Sequence, residues 1–240
     1  EFLEGEEPSF ICLTDGKHVA PLVPAQDHKR IGEGDTGPNT GGMGVYSTSE
    51  MLEPTMRDWI LHHVAEPTVR GMAEENTPFV GVLYCGLMMT AKGPQVLEYN
   101  ARFGDPETQA ILVRLESYLV DALEACIDGR LPETELRWGS GASACVVASS
   151  SGYPGSYKTG IPISGLNSAA QVPGVQVFHS GTARAGSELV TSGGRVLGVT
   201  ASGDSLQEAL ARAYEGLAQI HFDGIYYRRD IGHRALKKAH

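Results

Sequence analysis

The chain has 240 residues and a formal net charge of −10, from 19 Lys and Arg against 29 Asp and Glu. A non-specific nucleic-acid-binding protein needs a basic face, so this balance argues against that class. The sequence has no run of 18 apolar residues, so no membrane span is expected. The four cysteines are scattered. This favours reduced, buried thiols in a cytoplasmic protein over a disulfide framework or a zinc site.

The chain begins with strands. It lacks an initiator methionine and soon enters an apolar segment, which indicates a piece of a longer protein. Residues 9–14 and 18–23 are predicted to form two strands, with Asp15-Gly16 as the hairpin turn between them. Residues 27–47 contain six glycines and few large apolar side chains, which predicts a long loop.

A helix is predicted over residues 54–75, because apolar residues recur at a spacing of four and Pro54 suits the first turn. Pro67 is expected to kink or divide it. Two further strands are predicted over residues 79–90 and 95–101.

Two helices are predicted next. Asp105 is expected to cap the first, with Pro106 in its first turn, and Ser117 to cap a second that ends near Gly129.

The composition changes near residues 130–140. Short β-rich segments alternate with glycine turns after that point, at residues 142–149, 175–180, 187–191 and 195–201. Ser205 and Glu208 resemble a capping box that opens a helix to about residue 219. A last strand is predicted over residues 225–229. The pattern therefore predicts an α+β unit over residues 1–130 and a small β-rich unit over residues 131–240.

The strongest chemical signal is a row of three polar residues, Glu98, Asn100 and Arg102. On a strand, residues two apart point to the same face. A carboxylate and an amide oxygen are ligands that Mg²⁺ accepts, and a neighbouring guanidinium suits a phosphate. The alternative is the polar face of an exposed strand, and the spacing by itself leaves both readings open.

The second candidate is the glycine-rich loop from Asp27 to Gly44. Glycines allow backbone N–H groups to approach an anion, and Lys29 and Arg30 add positive charge. The loop matches neither the Walker pattern nor a dinucleotide fingerprint, and a flexible surface loop is an equal alternative. Asp105 and Glu107 could form a catalytic acid pair, but helix capping and a favourable helix dipole explain them more simply. No histidine spacing indicates zinc, and no nucleophile motif occurs.

Three segments resemble the glycinamide ribonucleotide synthetases of the ATP-grasp superfamily: residues 26–30, residues 37–44 and residues 97–107. Later segments around residues 152–155, 179–183, 193–197 and 227–232 resemble the C-terminal domain of that family. The resemblance covers almost the whole chain. It implies the second half of an ATP-grasp domain, an antiparallel sheet with helices, followed by a small β-rich domain.

The resemblance also implies a reaction. Family enzymes use ATP to join glycine to 5-phosphoribosylamine through glycyl phosphate, in purine synthesis. By resemblance, Glu98 and Asn100 would hold Mg²⁺ or Mn²⁺, and Arg102 would contact the transferring phosphate or the glycine carboxylate. The residues implied for ATP are Glu1, Phe2, Leu3, Glu7 and Lys29. The residues implied for the other substrates are Arg30, Asp35, Asn39, Gly41 and Gly42.

Departures from the family pattern limit the activity expected of this chain by itself. In family enzymes the first half of the ATP-grasp unit, with a glycine-rich lid and lysines, precedes the segment that this chain resembles, so it is expected to lie before Glu1. Some ATP-grasp relatives carry a second metal-binding Glu, which here falls near Gly86. The resemblance therefore implies that this chain alone binds ATP weakly and has no ligase activity. The alternatives are another ATP-grasp enzyme, such as a relative of biotin carboxylase, and a non-catalytic fragment that keeps the fold.

Overall fold

The computed structural model describes residues 1–238 and divides into two compact units. Unit 1 consists of residues 1–26, 48–104 and 114–140. Unit 2 consists of residues 27–47, residues 105–113 and the chain from residue 141 onward. Neither unit is continuous in sequence. The predicted division at residue 130 stays a prediction, and residues 239 and 240 of its second segment lie outside the described residues.

The secondary structure alternates between strands and short helices. The strands are β1 (Pro8–Asp15), β2 (Val19–Pro21), β3 (Ala25–Asp27), β4 (Arg30–Gly32), β5 (Thr36–Asn39), β6 (Gly44–Thr48), β7 (Val80–Thr90), β8 (Gly93–Asn100), β9 (Ala142–Ser149), β10 (Val175–His179), β11 (Thr182–Ala185), β12 (Glu188–Thr191) and β13 (Arg195–Gly203). The helices are α1 (Pro54–Ile60), α2 (Glu66–Glu74), α3 (Glu107–Leu112), α4 (Leu119–Asp128), α5 (Leu166–Ala169), α6 (Leu206–Ala218) and α7 (His233–Lys238).

Unit 1 is built on an antiparallel sheet. Its strands lie in the order β3-β1-β7-β8, and β2 pairs with β1 as the predicted hairpin. Alternate residues of β1 and β7, including Phe10, Cys12 and Leu83, face a core that also contains Ile60 and Val69 from the helices. β8 has no partner on its other side in this order, and most of its side chains are exposed.

The predicted helix over residues 54–75 is interrupted. Between α1 and α2, residues 61–65 form a π-helical turn in which the N–H of Glu66 bonds to the carbonyl of Leu61. Pro67 follows directly and has no N–H to donate, so the regular hydrogen-bond ladder cannot run through this point. The expected break at Pro67 is therefore confirmed, and it takes the form of a wider turn.

In unit 2, β10 pairs with β13 and β13 pairs with β9, both antiparallel. β10, β13, β9 and β6 are neighbours in that order, and every residue of β9 is buried. Helix α6 packs on β9 and β13. The predicted Ser205 cap is confirmed, because Ser205 Oγ accepts the N–H of Glu208 at 3.2 Å. The Glu208 carboxylate accepts the N–H of Asp204, one residue before the cap, at 2.8 Å.

Several local predictions were wrong. Residues 27–47 contain the strands β4, β5 and β6 as well as loops. Residues 225–229 form no strand beyond an isolated bridge at Tyr226, because Arg228 turns inward to bind carboxylates. The helix expected to start after Asp105 begins at Glu107. Its N-cap residue is Pro106 and not Asp105, and no side chain caps it.

The carboxylate of Asp105 is used elsewhere. Its two oxygens accept from Gln109 Nε2 and Arg195 Nη2, so they do not cap the helix. Ser117 likewise does not cap α4, because its hydroxyl accepts the N–H of Arg137. The end of α4 is as predicted, with Gly129 in the left-handed conformation. Over residues 1–238, no helix is long and apolar enough to cross a membrane.

Candidate active site

Glu98 and Asn100 lie side by side on β8. Asn100 Nδ2 donates to Glu98 Oε1 at 3.2 Å, which shows that both side chains project from the same face of the strand. The pairing strand β7 places Gly86 opposite Glu98 and Tyr84 opposite Asn100. The same-face arrangement predicted from the spacing is therefore present, on an exposed strand that has few neighbours to cover it.

Gly86 leaves room for the Glu98 side chain. A Cβ at residue 86 would lie 3.1 Å from Glu98 Cγ, closer than ordinary contacts allow. Glu98 and Asn100 offer one carboxylate and one amide oxygen, a hard-oxygen donor set that fits Mg²⁺ bound mainly by water and nucleotide phosphates. Among the residues described, no group of three His, Cys, Asp or Glu side chains could hold a metal.

Arg102 lies just beyond the strand. β8 ends at Asn100, and Arg102 Nη1 donates to the carbonyl of Phe103 at 2.9 Å. The side chain is exposed. Strand pairing therefore does not place Arg102 on the same face as Glu98 and Asn100. The bond to Phe103 orients its guanidinium instead.

The N-terminal candidates belong to unit 1 as well. Glu1, Phe2 and Leu3 have no regular secondary structure, and Phe2 is 87% exposed. Glu6, the neighbour of Glu7, continues the β1 pairing by accepting the N–H of Met89 at 2.7 Å. The N-terminal segment is thus paired at Glu6 with the C-terminal end of β7, while Phe2 is open to solvent.

The remaining candidates, Lys29 to Gly42, belong to unit 2. β4 and β5 form a short hairpin in which Arg30 pairs with Asn39. Arg30 Nη1 donates to the carbonyl of Gly37 at 2.7 Å, and the Lys29 carbonyl accepts from both the N–H and the hydroxyl of Thr40. Bonds within residues 29–40 therefore hold the hairpin together, and Asn39 is exposed to solvent.

Asp35 lies at the tip of this hairpin, in the left-handed conformation with φ 57°. Both of its oxygens are engaged within unit 2: Arg228 Nη1 donates to Oδ1 at 3.0 Å, and Arg234 donates to Oδ2 through Nε and Nη2. These guanidinium groups lower the pKa of Asp35, although burial acts in the opposite direction. Asp35 therefore fixes the hairpin and has little capacity left for a ligand.

Arg228 is the centre of that network and was not singled out from the sequence. Its side chain is fully buried, and it donates to both oxygens of Asp230 and to the carbonyl of Arg30. Against the effect of burial, its bonds to Asp230 and the N–H of Gly34 lower the pKa of Asp230 to about 2. Arg228, Asp35, Asp230 and Arg234 are called the hairpin clamp below.

His28 fastens the start of the same loop. Its Nδ1 donates to the carbonyl of Gly44 at 3.2 Å, and its Nε2 accepts the N–H of Gly232 at 3.1 Å. This pair of bonds requires the neutral ring. Burial, followed by the charge of Arg228, lowers the pKa of His28 to about 4.

Gly41 and Gly42 allow close packing. The N–H of Gly41 donates to the Tyr153 hydroxyl at 3.0 Å, and its carbonyl accepts from Arg195 Nη1 at 2.6 Å. Gly42 has φ 114°, and a Cβ there would lie 2.7 Å from Oδ1 of Asp27. Only glycine therefore fits this part of the loop.

Asp27 was also missed, although it belongs to the charged run before the glycines. Its Oδ1 is buried and has no hydrogen-bond partner among the residues described. Burial, together with the nearby Glu107 carboxylate, raises the pKa of Asp27 well above its usual range. The spacing of acidic residues gave no hint of this pair, because Asp27 and Glu107 are far apart in sequence.

The antiparallel sheets and helices of the chain match solved ATP-grasp structures. The biotin carboxylase domain of a thermophilic 2-oxoglutarate carboxylase aligns with a TM-score of 0.66 over 94% of this chain and 49% of that one, at 15% identity. At this identity the likeness concerns the fold alone. The fold is that of the ATP-grasp proteins, as predicted, since a family model of an ATP-grasp domain also matches the chain.

Sequence comparisons narrow this class. The model of the phosphoribosylglycinamide synthetase ATP-grasp (A) domain matches residues 1–108, and that of the C domain matches residues 143–234. The chain belongs to the phosphoribosylglycinamide synthetase family. This sets aside the alternative of a biotin carboxylase relative.

Relatives at higher identity agree with this assignment. The phosphoribosylamine–glycine ligases of Vibrio vulnificus (strain YJ016) and Synechocystis sp. are 50% and 52% identical, over 99% and 98% of this chain. The crystal structure of the Thermotoga maritima phosphoribosylamine–glycine ligase aligns with a TM-score of 0.85 and 34% identity, over 96% of this chain and 56% of that one. The chain spans 56% and 57% of the Vibrio and Synechocystis proteins, so it corresponds to about half their length.

Proposed function

We propose that the protein containing this chain is an ATP-dependent ligase that joins glycine to 5-phosphoribosylamine. The products would be glycinamide ribonucleotide, ADP and phosphate, formed through glycyl phosphate in purine biosynthesis. The observation that carries the proposal is the pairing of Glu98 with Asn100 on one face of β8, opposite a glycine. The names of the relatives, which are phosphoribosylamine–glycine ligases, support the choice of substrates.

In unit 1, we propose that Glu98 and Asn100 hold Mg²⁺, or Mn²⁺ in its place. The metal would offset the negative charge of the ATP phosphates. A solved biotin carboxylase domain of this fold is described in complex with MgADP, which supports a nucleotide–magnesium site in the fold. Arg102 would stabilise charge on the phosphoryl group as it moves to the glycine carboxylate. Glu1, Phe2 and Leu3 would meet the adenine, and Glu7 the ribose hydroxyls.

In unit 2, we propose that the loop from Lys29 to Gly42 binds substrates. Lys29 would act on the ATP phosphates, and Arg30, Asn39, Gly41 and Gly42 on glycine and phosphoribosylamine. Asp35, whose oxygens are both engaged, would contribute by holding the hairpin in shape. No side chain needs to act as a nucleophile, because the glycine carboxylate attacks phosphorus and the substrate amine then displaces phosphate. The protein's part is to orient these groups and offset their charges.

The four buried free cysteines support a reducing compartment, and we place the reaction in the cytoplasm. A second candidate is a non-catalytic ATP-grasp fragment. It is favoured by one observation, that the chain spans about half the length of its relatives.

The experiment is an ADP-release assay that depends on both glycine and 5-phosphoribosylamine. It compares the 240-residue chain with the complete protein that contains it. We expect turnover by the complete protein and none by the chain alone, because the rest of the ATP-grasp unit is needed to bind ATP. A complete protein without turnover would favour the non-catalytic alternative, and robust turnover by the chain would refute its dependence on other segments.

A further inference from the structure

Arg195 is held in place by acceptors from two distant segments. Its Nη1 donates to the carbonyls of Gly41, at 2.6 Å, and Asp105, at 2.7 Å. Its Nη2 donates to Asp105 Oδ2 at 3.2 Å. All three residues belong to unit 2. The guanidinium is thus fixed by two backbone groups and one carboxylate, while one fifth of the side chain remains exposed.

The bonds of Arg195 leave part of the guanidinium unused. A guanidinium has five N–H groups in a fixed planar fork, and three of them are accounted for by these acceptors. The Nε–H and the second Nη2–H have no partner among the residues described. These two N–H groups lie parallel on one edge of the group, which is the arrangement that binds a carboxylate or a phosphate through two bonds.

Gly41 keeps this edge open. A Cβ at residue 41 would lie 3.0 Å from Arg195 Cζ and slightly farther from Nη2 and Nε. Because the central carbon is nearest, Gly41 lies over the flat face of the guanidinium and not at its edge. Any larger residue would press on the guanidinium. The glycine therefore permits a close contact that orients Arg195 without occupying its free donors.

The charges nearby are mixed. Asp105 neutralises part of the charge of Arg195, and Lys29 and Arg195 both act on the buried carboxyl of Asp27. Because burial and Glu107 raise the pKa of Asp27, its charge opposes an incoming anion less than an exposed aspartate would. The charges around Arg195 are therefore compatible with a bound anion.

We propose that Arg195 is a substrate-binding residue, whose Nε–H and Nη2–H bind an oxyanion of a substrate. The oxyanion is the carboxylate of glycine or the 5-phosphate of phosphoribosylamine, two groups with the same bidentate acceptor chemistry. The proposal rests on the proposed function for the choice of substrates. It goes beyond that function by assigning a binding residue far from the glycine-rich loop in sequence.

The competing explanation is that Arg195 only fastens Gly41. Tyr153 provides the matched control, because its hydroxyl accepts the N–H of the same glycine. Tyr153→Phe removes that bond to the loop but leaves the guanidinium intact. Arg195→Lys keeps a positive charge but cannot present the parallel pair of N–H groups.

The test is an NMR titration of the complete protein that contains this chain, with ribose 5-phosphate and glycine added separately. Binding of ribose 5-phosphate would identify the oxyanion as the phosphate, and binding of glycine would identify it as the carboxylate. Because lysine cannot form the paired N–H bonds to an oxyanion, Arg195→Lys is expected to weaken binding at least ~10-fold. Tyr153→Phe is expected to weaken it much less.

Binding of neither probe, or equal weakening by the two substitutions, would overturn the proposal. The ligase assay on the complete protein separates this from the proposed function. Turnover with no binding at Arg195 would leave the function standing and remove this residue. Binding at Arg195 without turnover would keep Arg195 as an oxyanion-binding residue and count against the proposed function.

Discussion

The side-chain amide of Asn100 donates to Oε1 of Glu98 across 3.2 Å, on a strand where both residues face the same way. This bond leaves the second Glu98 oxygen and the Asn100 oxygen available for a cation. The two side chains therefore lie next to each other on one face of β8. Mutation of either one tests whether this pair acts as a metal site.

Glu98→Gln removes the charge and keeps the size of the side chain. We expect the complete protein to lose at least ~10-fold in affinity for Mn²⁺ in the presence of ATP, because a hard cation depends on the carboxylate. Electron paramagnetic resonance of free Mn²⁺ measures this directly. Glu75→Gln, at the exposed end of α2, is the control and should bind Mn²⁺ normally. Unchanged Mn²⁺ binding by Glu98→Gln would remove this residue from the metal site.

Gly86→Ala tests the space beside Glu98. The added Cβ would lie 3.1 Å from Glu98 Cγ, so the carboxylate must shift, and we expect weaker Mn²⁺ binding with little change in the melting temperature. Gly71→Ala is the control in the same unit, because residue 71 is within α2 and its Cβ meets nothing within 4 Å. It should leave Mn²⁺ binding intact and stabilise the protein by about 0.5–1 kcal/mol. Equal Mn²⁺ affinity in the two variants would show that the contact at residue 86 is unimportant.

The Glu98–Asn100 row could be predicted because it depends only on the period of a strand, which is a local property. The contact of Arg195 with Gly41 could not, because it joins residues 154 apart and no sequence period encodes it. Other side-chain bonds explain two of the errors. Asp105 does not cap α3 because Arg195 and Gln109 bind its carboxylate, and residues 225–229 form no strand because Arg228 is buried among carboxylates. Local preference failed where long-range charge pairing decided the conformation.

Arg228→Met tests the hairpin clamp. It leaves Asp35 and Asp230 without the buried guanidinium that they share, and breaking a buried ion pair in this way costs about 3–5 kcal/mol. We expect a matching loss in the free energy of unfolding in urea. Amide hydrogen exchange over residues 30–39 should also become faster, because a two-stranded hairpin is marginally stable by itself.

Arg184→Ala is the control for the clamp. Arg184 is an exposed arginine on β11 in the same unit, so its removal should leave stability and exchange nearly unchanged. If Arg228→Met unfolds at the wild-type urea concentration, the clamp does not stabilise the hairpin. If stability falls but exchange over residues 30–39 stays slow relative to the rest of unit 2, the network supports the unit as a whole and not the hairpin.

The neutral ring of His28 predicts a stability change in mild acid. Its pKa is about 4 in the folded chain, against about 6.5 for an ordinary histidine in the unfolded chain. As the pH falls from 6.5 to 4, the unfolded chain takes up a proton that folded His28 does not accept. The stabilisation is therefore complete above pH 6.5 and is lost toward pH 4, by about 3 kcal/mol. Urea unfolding at a series of pH values measures this loss.

His28→Gln separates this proton from the others that titrate in the same range. Glutamine can still donate to Gly44 and accept from Gly232, but it has no proton to gain. We expect this variant to be less stable than the wild type at pH 7, because the amide cannot match the ring geometry. Its stability should then fall less steeply between pH 6.5 and 4. Parallel pH profiles for the two proteins would mean that another group causes the acid sensitivity and that His28 is not held neutral by the fold.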